Sequence, residues 1–564
     1  MDSDLAIAQR ATLKPIQEIT ERLGLLDDEV LPYGRYMAKI RLESIARLGD
    51  DTLGKYIVVT GVTPTPLGEG KTVTTVGLAQ GLSFLGKQAA CCVRQPSMGP
   101  VFGIKGGAAG GGYSQILPME EFNLHLTGDM HAVSSAHALL SALIDTLMTK
   151  GNPGRLDPMK VTWRRCVDMN DAALRDIVIG LGGHGFPRET GFDLTSASEV
   201  MAVLALASSL PDLRRRLGRI VIGYTHQDIP VFAEAIRAAG AMTILLKDAI
   251  MPNVLQTVEH VPAFVHAGPF ANIAHGNSSI LADEIALRCA DYVVTEAGFG
   301  ADMGFEKFCD IKCRISGHHP DAAVLVVTVR ALKAHSGRYR VVPGRPIDPT
   351  IFEPSVEAVH AGLPNMVKHL ENIARFNLPC VVAVNRFDTD SDDELDVIAE
   401  AAKAAGAFDV VISEAHTEGG AGAAAMAEAV VAAAESPRPE PFRFLYDLEL
   451  PIREKIDTIA RTIYGADGVD YGPAAAAAVE SLTRLGFDKL PICMAKTQYS
   501  FSHDPNLKGR PTHFRLPVRD IRLAGGAGFL TPLVGTILTM PAFGRHPAAI
   551  DMDIDENGKI TGLY

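Results

Sequence analysis

The chain has 564 residues, 47% of them hydrophobic and 21% charged, which is the balance of a folded protein and excludes wholesale disorder. Its 53 basic and 66 acidic residues leave a net charge of −13, a poor match to nucleic acid or an anionic membrane that still leaves room for a local basic pocket. There is no run of eighteen apolar residues, no basic-then-apolar leader after Met1 and only eight scattered cysteines, so a cytoplasmic protein with reduced thiols and no membrane span is expected.

Short apolar runs alternate with helix-length segments along the chain. Strands are predicted over residues 56–62, 89–93, 220–224, 243–246, 263–266, 292–295, 324–329, 381–384 and 410–413. Helices are predicted over 72–85, 132–148, 196–206, 282–290, 356–374 and 393–404, with two Ala-rich ones over 419–435 and 473–479. Most of the strands are β-branched and apolar on both faces. The fold class is therefore α/β, a parallel sheet covered by helices on both faces. Ligands gather beyond the carboxyl ends of such strands. Here those ends lead into Arg94, Thr225, Glu296, Arg330, Asn385 and Glu414, which predicts one composite site.

The strongest motif runs from Val58 to Thr72, between a predicted strand and a predicted helix. Its nucleotide-binding part is Thr65, Pro66, Leu67, Gly68, Glu69, Gly70, Lys71 and Thr72. Main-chain N–H groups of Gly68, Glu69 and Gly70 can cradle phosphate oxygens of ATP at the helix start. Lys71 would neutralise the β/γ-phosphates, and the Thr72 hydroxyl would serve Mg²⁺. The pattern differs from G-x-x-x-x-G-K-[ST] at Thr65, and two prolines stiffen it. Asn385-Arg-Phe-Asp388 mimics the guanine-reading Asn-Lys-x-Asp of GTPases. Arginine replaces the lysine, though, and the motif lies too far down the chain for a compact GTPase.

Next come Arg94-Gln-Pro-Ser-Met-Gly-Pro and Lys105-Gly-Gly-Ala-Ala-Gly-Gly-Gly-Tyr113. The glycine run allows its backbone to approach a ligand or another loop closely. Arg94, at a strand end beside the phosphate loop, is suited to gripping a carboxylate or acyl phosphate with two N–H groups. His125, His131 and His137 are six apart and do not share a helix face, so they do not predict a zinc site. Asp129 precedes a predicted helix and is either a cap or a contact at the phosphates, directly or through Mg²⁺.

The strings already quoted, together with Ala263-Phe-Val-His-Ala-Gly-Pro-Phe-Ala-Asn-Ile-Ala-His-Gly and Glu296-Ala-Gly-Phe-Gly-Ala-Asp, closely resemble the formate–tetrahydrofolate ligase family. The resemblance runs from about Leu5 to Tyr564. It implies ATP-dependent joining of formate to N10 of tetrahydrofolate through formyl phosphate. It also implies Mg²⁺, activation by a monovalent cation, a homotetramer, and a P-loop-type domain with two smaller α/β domains. With the linker-like Pro-rich stretch at 435–441, the expected division is 1–350 for nucleotide and formate, 351–440 for the folate side and 441–564 at the C-terminus. No dehydrogenase/cyclohydrolase module precedes the ligase, which predicts the single-function bacterial form. Lys71, Arg94 and Asp129 are the expected catalytic residues. The family's pterin-binding aromatics map onto Phe299 and Phe387, and its tryptophan maps onto His416. An imidazole can still stack there, with less area. The basic run from Lys508 to Arg522 is expected to face solvent or a subunit interface.

Overall fold

The computed structural model describes residues 3–50, 53–105, 108–342, 346–535 and 537–563. Ten strands form the main path of its central sheet: β1 (Val30–Tyr33), β2 (Met37–Ile40), β3 (Lys55–Gly61), β4 (Ala89–Val93), β5 (Asn253–Thr257), β6 (Pro262–Val265), β7 (Tyr292–Gly300), β8 (Ala322–Val327), β9 (Cys380–Asn385) and β10 (Asp409–Ser413). Their order is β1-β2-β5-β6-β4-β7-β3-β8-β9-β10. All pairings from β6 to β10 along this path are parallel, and β1, β2 and β5 extend the sheet as an antiparallel edge.

The apolar runs explain this arrangement. Successive residues of β3 point to opposite faces, so Tyr56 and Val58 enter one core while Ile57 and Val59 enter another. A strand that is apolar on both sides requires cover on both. Ile280–Cys289 and Val356–Ala374 cover the first face, and Lys71–Phe84 and Ala424–Glu435 the second. The chain passes from β7 on one side of β3 to β8 on the other. Such a reversal is where open α/β sheets place their ligand crevice, at the carboxyl ends of the central strands.

Several expectations need correction. Residues 243–246 belong to the helix Ala239–Leu246 rather than to a strand. Ala239, Met242 and Leu246 are buried on one helical face while Ile244 is 69% exposed, so the 3.6-residue period outweighs the short apolar run. Val221–Tyr224 is a strand, but it pairs with Pro230–Phe232 in a separate two-stranded sheet. Thr225 therefore lies in that hairpin's turn and not in the composite site. The sheet also runs unbroken past residue 350, because β8 and β9 pair from Ala323↔Cys380 to Val327↔Val384. A separate three-stranded sheet of Gly468–Tyr471, Arg515–Ala524 and Phe529–Val534 lies in the C-terminal part. In Arg515–Ala524, Arg515, Arg519 and Arg522 alternate outward against buried Leu516, Val518, Ile521 and Leu523.

Asp129–Thr149 is long and apolar enough, by length and composition, to cross a membrane. In the fold it packs Met130, Val133, Leu140 and Ile144 into a core cluster. Nearby, burial pushes the Glu199 carboxyl up to about 7, against the pull of the Gly526 and Ala527 N–H groups that donate to it at 2.7 and 3.2 Å. A carboxyl raised this way stabilises the fold fully below its unfolded value of 4.5, and that contribution is lost as pH rises through about 7. Glu199→Gln keeps a carbonyl acceptor and is expected to raise stability at about pH 8 by ~1–2 kcal/mol, less than the full shift implies because the side chain borders a cleft. Its unfolding free energy should also vary less between about pH 5 and 8 than that of the parent. Denaturant unfolding at both ends of that range checks this.

Candidate active site

The turn after β3 is closed by its own side chains. Gly68 N donates to Thr65 O at 3.2 Å, Leu67 N to Thr65 Oγ1 at 3.2 Å, and Thr65 N to Glu69 Oε1 at 2.6 Å. Gly70 has φ +75°, a left-handed conformation that side chains disfavour. A Cβ there would also lie 2.9 Å from Asn385 Nδ2. That amide donates to Glu69 O at 2.9 Å, so β9 clamps the turn from the side. The helix Lys71–Phe84 begins immediately afterwards, with its first N–H groups at the head of the crevice.

Lys71 and Arg94 are each set beside a carboxylate. Lys71 Nζ lies 3.4 Å from Glu69 Oε2. Thr72 Oγ1 donates to Glu296 Oε2 at 2.9 Å, and Arg94 Nη2 lies 3.9 Å from Glu296 Oε1. Glu296 thus bridges the hydroxyl at the helix start and the guanidinium that follows β4. Arg94 Nη1 donates to Pro269 O at 3.1 Å, while its Nε is buried without an acceptor. Burial pushes the Arg94 pKa down, and Glu296 pulls it back up. At Gly298 a Cβ would lie 3.0 Å from Arg94 Nη2, so only glycine leaves the guanidinium its lane. Phe299 follows with φ +62° at the register shift of β7. This is a strained conformation for an aromatic residue, of the kind that clusters at functional sites.

The remaining expected residues divide. Phe387 lies just past the end of β9, with the Arg330 guanidinium over its ring. His416 stands past the end of β10, which pairs Ser413 with Asn385 of β9. Its carbonyl accepts from Tyr113 N at 2.9 Å and its Nε2 lies 3.7 Å from Asp4 Oδ1. The end of the glycine run thus packs against the helix Ala415–Gly422, which is the close approach its composition predicts. Gly106 and Gly107 of that run, and the Lys105 side chain before them, lie outside the described residues.

Asp129 is not brought to the turn. It pairs with Lys39 Nζ at 2.8 Å and accepts from Asn253 Nδ2 at 2.7 Å. Asn253 is on β5, four strands from β3, or roughly 19 Å at normal strand spacing. The cap of the following helix is Gly128, so Asp129 anchors the helix to the antiparallel edge instead. Glu296 and Asn385 are the site residues to which sequence reasoning assigned no role. Glu296 is the last residue of β7 before its register shift and Asn385 the last of β9; their signals were the ends of the predicted strands and, for Asn385, the Asn-Arg-Phe-Asp string.

Compared with known proteins, the chain matches the family model described as formate–tetrahydrofolate ligase over residues 2–564. It is 57% identical over 565 residues to the protein of that name from Roseiflexus castenholzii, covering the whole of both chains. To the one from Saccharopolyspora erythraea it is 58% identical over 563 residues, covering 100% of this chain and 99% of the other. To the one from Cutibacterium acnes it is 54% identical over 566 residues, again covering the whole of both.

Proposed function

Because the chain belongs to the formate–tetrahydrofolate ligase family, we propose that it joins formate to N10 of tetrahydrofolate in an ATP-dependent reaction through formyl phosphate, releasing ADP and phosphate. The observation that carries this reading is the single carboxylate of Glu296, within reach of both Thr72 Oγ1 and Arg94 Nη2. Groups that share one carboxylate can also hold a terminal phosphate and a one-carbon acid as neighbours.

The turn Thr65–Thr72 acts as a P-loop. Its amides and Lys71 neutralise the triphosphate, with Lys71 exchanging Glu69 for phosphate oxygens. Formate, held by Arg94, attacks the γ-phosphorus; the bond to the β–γ bridging oxygen breaks and ADP leaves. Such a transfer needs positioning and charge neutralisation more than covalent help. N10 then attacks the formyl carbon, the C–O bond to phosphate breaks, and the amine proton is lost. Arg94 is the donor available to the developing oxyanion. Phe299, Phe387 and His416 form the folate side. The Thr72 hydroxyl and Glu296 carboxylate are hard oxygen donors that suit Mg²⁺, which supplies further neutralisation of the phosphates when bound with ATP. The reading extends to a homotetramer in the cytoplasm, activated by a monovalent cation.

Omitting MgATP, formate and tetrahydrofolate in turn tests it. ADP release is expected to require formate, and 10-formyltetrahydrofolate to form only when all three are present. Equal ADP release with and without formate would sink the assignment.

A further inference from the structure

Arg330 lies in the first turn after β8, the strand between β3, which leads into the phosphate turn, and β9, which leads into Phe387. Its guanidinium carbon is 3.1 Å from the centre of the Phe387 ring. Among the described residues it makes no hydrogen bond and no ion pair, and its Nε is shut away from solvent without an acceptor. Asp390 and Glu69 are the carboxylates whose charge reaches it, and both are engaged elsewhere. Asp390 accepts from Phe387 N at 2.9 Å, and Glu69 accepts from Thr65 N and pairs with Lys71.

This is unusual for a half-buried arginine, whose rigid fork of five donors is normally spent on carboxylates or carbonyls. Arg164 and Arg314, half-buried elsewhere in the chain, both follow that rule. The first turn of a helix is also the wrong end for a cation. The ring face offsets only part of the lost hydration. A guanidinium stored without partners beside a phosphate-binding turn is matched to an anion.

The direction of the nucleotide identifies which anion. Arg94 and Glu296 stand on the β4 and β7 side of β3. If formate is phosphorylated there, the γ-phosphate points to that side and the nucleoside end of the triphosphate points across β3 to β8. We propose that Arg330 is a nucleotide-binding residue that leaves Phe387 to pair with the α-phosphate of the bound nucleoside triphosphate. The inference rests on the nucleotide reading of the Thr65–Thr72 turn.

Calorimetric titration of the full chain and of Arg330→Gln and Arg330→Lys with ADP, adenosine and inorganic tripolyphosphate tests it. Arg330→Gln should weaken ADP and tripolyphosphate by at least tenfold while adenosine changes less than threefold. Arg330→Lys should recover part of the loss. In turnover, Arg330→Gln should raise the KM for ATP by a similar factor and leave the KM for formate unchanged. Equal ADP affinity in parent and Arg330→Gln overturns the proposal. So does an equal loss for all three probes, which marks a packing role through Phe387. A parent protein that binds no ADP overturns the nucleotide reading itself, and the proposal with it.

Discussion

Lys71→Ala is expected to lower kcat/KM for ATP by ~10³-fold, about 4 kcal/mol of lost transition-state stabilisation. The side chain starts the helix that follows the phosphate turn, and its ammonium rests 3.4 Å from Glu69 Oε2. In the proposed mechanism that carboxylate holds the place a phosphate oxygen takes when nucleotide binds. When triphosphate arrives, the ammonium has only to change partner, so little reorganisation is needed as charge moves to the leaving oxygen. Removing it leaves the amide cradle intact but deprives the β/γ-oxygens of their one mobile cation from the turn. The fold should survive, because buried Glu69 keeps its hydrogen bond from Thr65 N and loses only a 3.4 Å contact. Unchanged thermal unfolding alongside collapsed turnover would assign the loss to the reaction. Turnover within tenfold of the parent would remove Lys71 from the machinery.

The strand, turn and helix around Thr65–Thr72 were legible because their signals are local: β-branched run, glycine-rich turn and helix start fall within one short stretch. The both-face burial of β3, β4, β7, β8 and β9 was legible for the same reason, since an unbroken β-branched run states its own environment. Features that pair distant segments were not. Asp129 opens a helix, and nothing near it in sequence reveals that Lys39 and Asn253 hold it at the far edge of the sheet. Glu296 could be read as a strand end, but its link to Thr72 joins residues 224 positions apart. The edge strands β1, β2 and β5 are short and mixed, with Pro32, Lys39 and Gln256 interrupting any apolar pattern. They exist because the sheet beside them exists. The helix Ala239–Leu246 shows the reverse error, in which a local β-branched signal gave way to packing that buries only one side.

Arg94→Ala is expected to reduce formate-dependent ADP release by at least ~10²–10³-fold while ADP and ATP still bind within about threefold of the parent. The two effects separate because Arg94 follows β4, two strands from β3, and makes none of the hydrogen bonds that shape the turn. It is held instead by Pro269 O, by the open space over Gly298 and by Glu296. This support fixes a planar fork with Nε still unpaired. A carboxylate or acyl phosphate would meet the exposed part of this side chain, 24% of its surface, rather than the shut-in Nε. Arg94→Lys keeps the charge and loses the fork, so it should leave nucleotide affinity at the parent's level and recover formate use only in part. The measurement is a pair: ADP affinity by calorimetry, and ADP release at saturating ATP over a range of formate concentrations. If Arg94→Ala lost ATP affinity as steeply as turnover, the guanidinium would belong to the triphosphate. The acid would then need another anchor, and the neighbourhood enforced by Glu296 would have to be explained as a metal site alone.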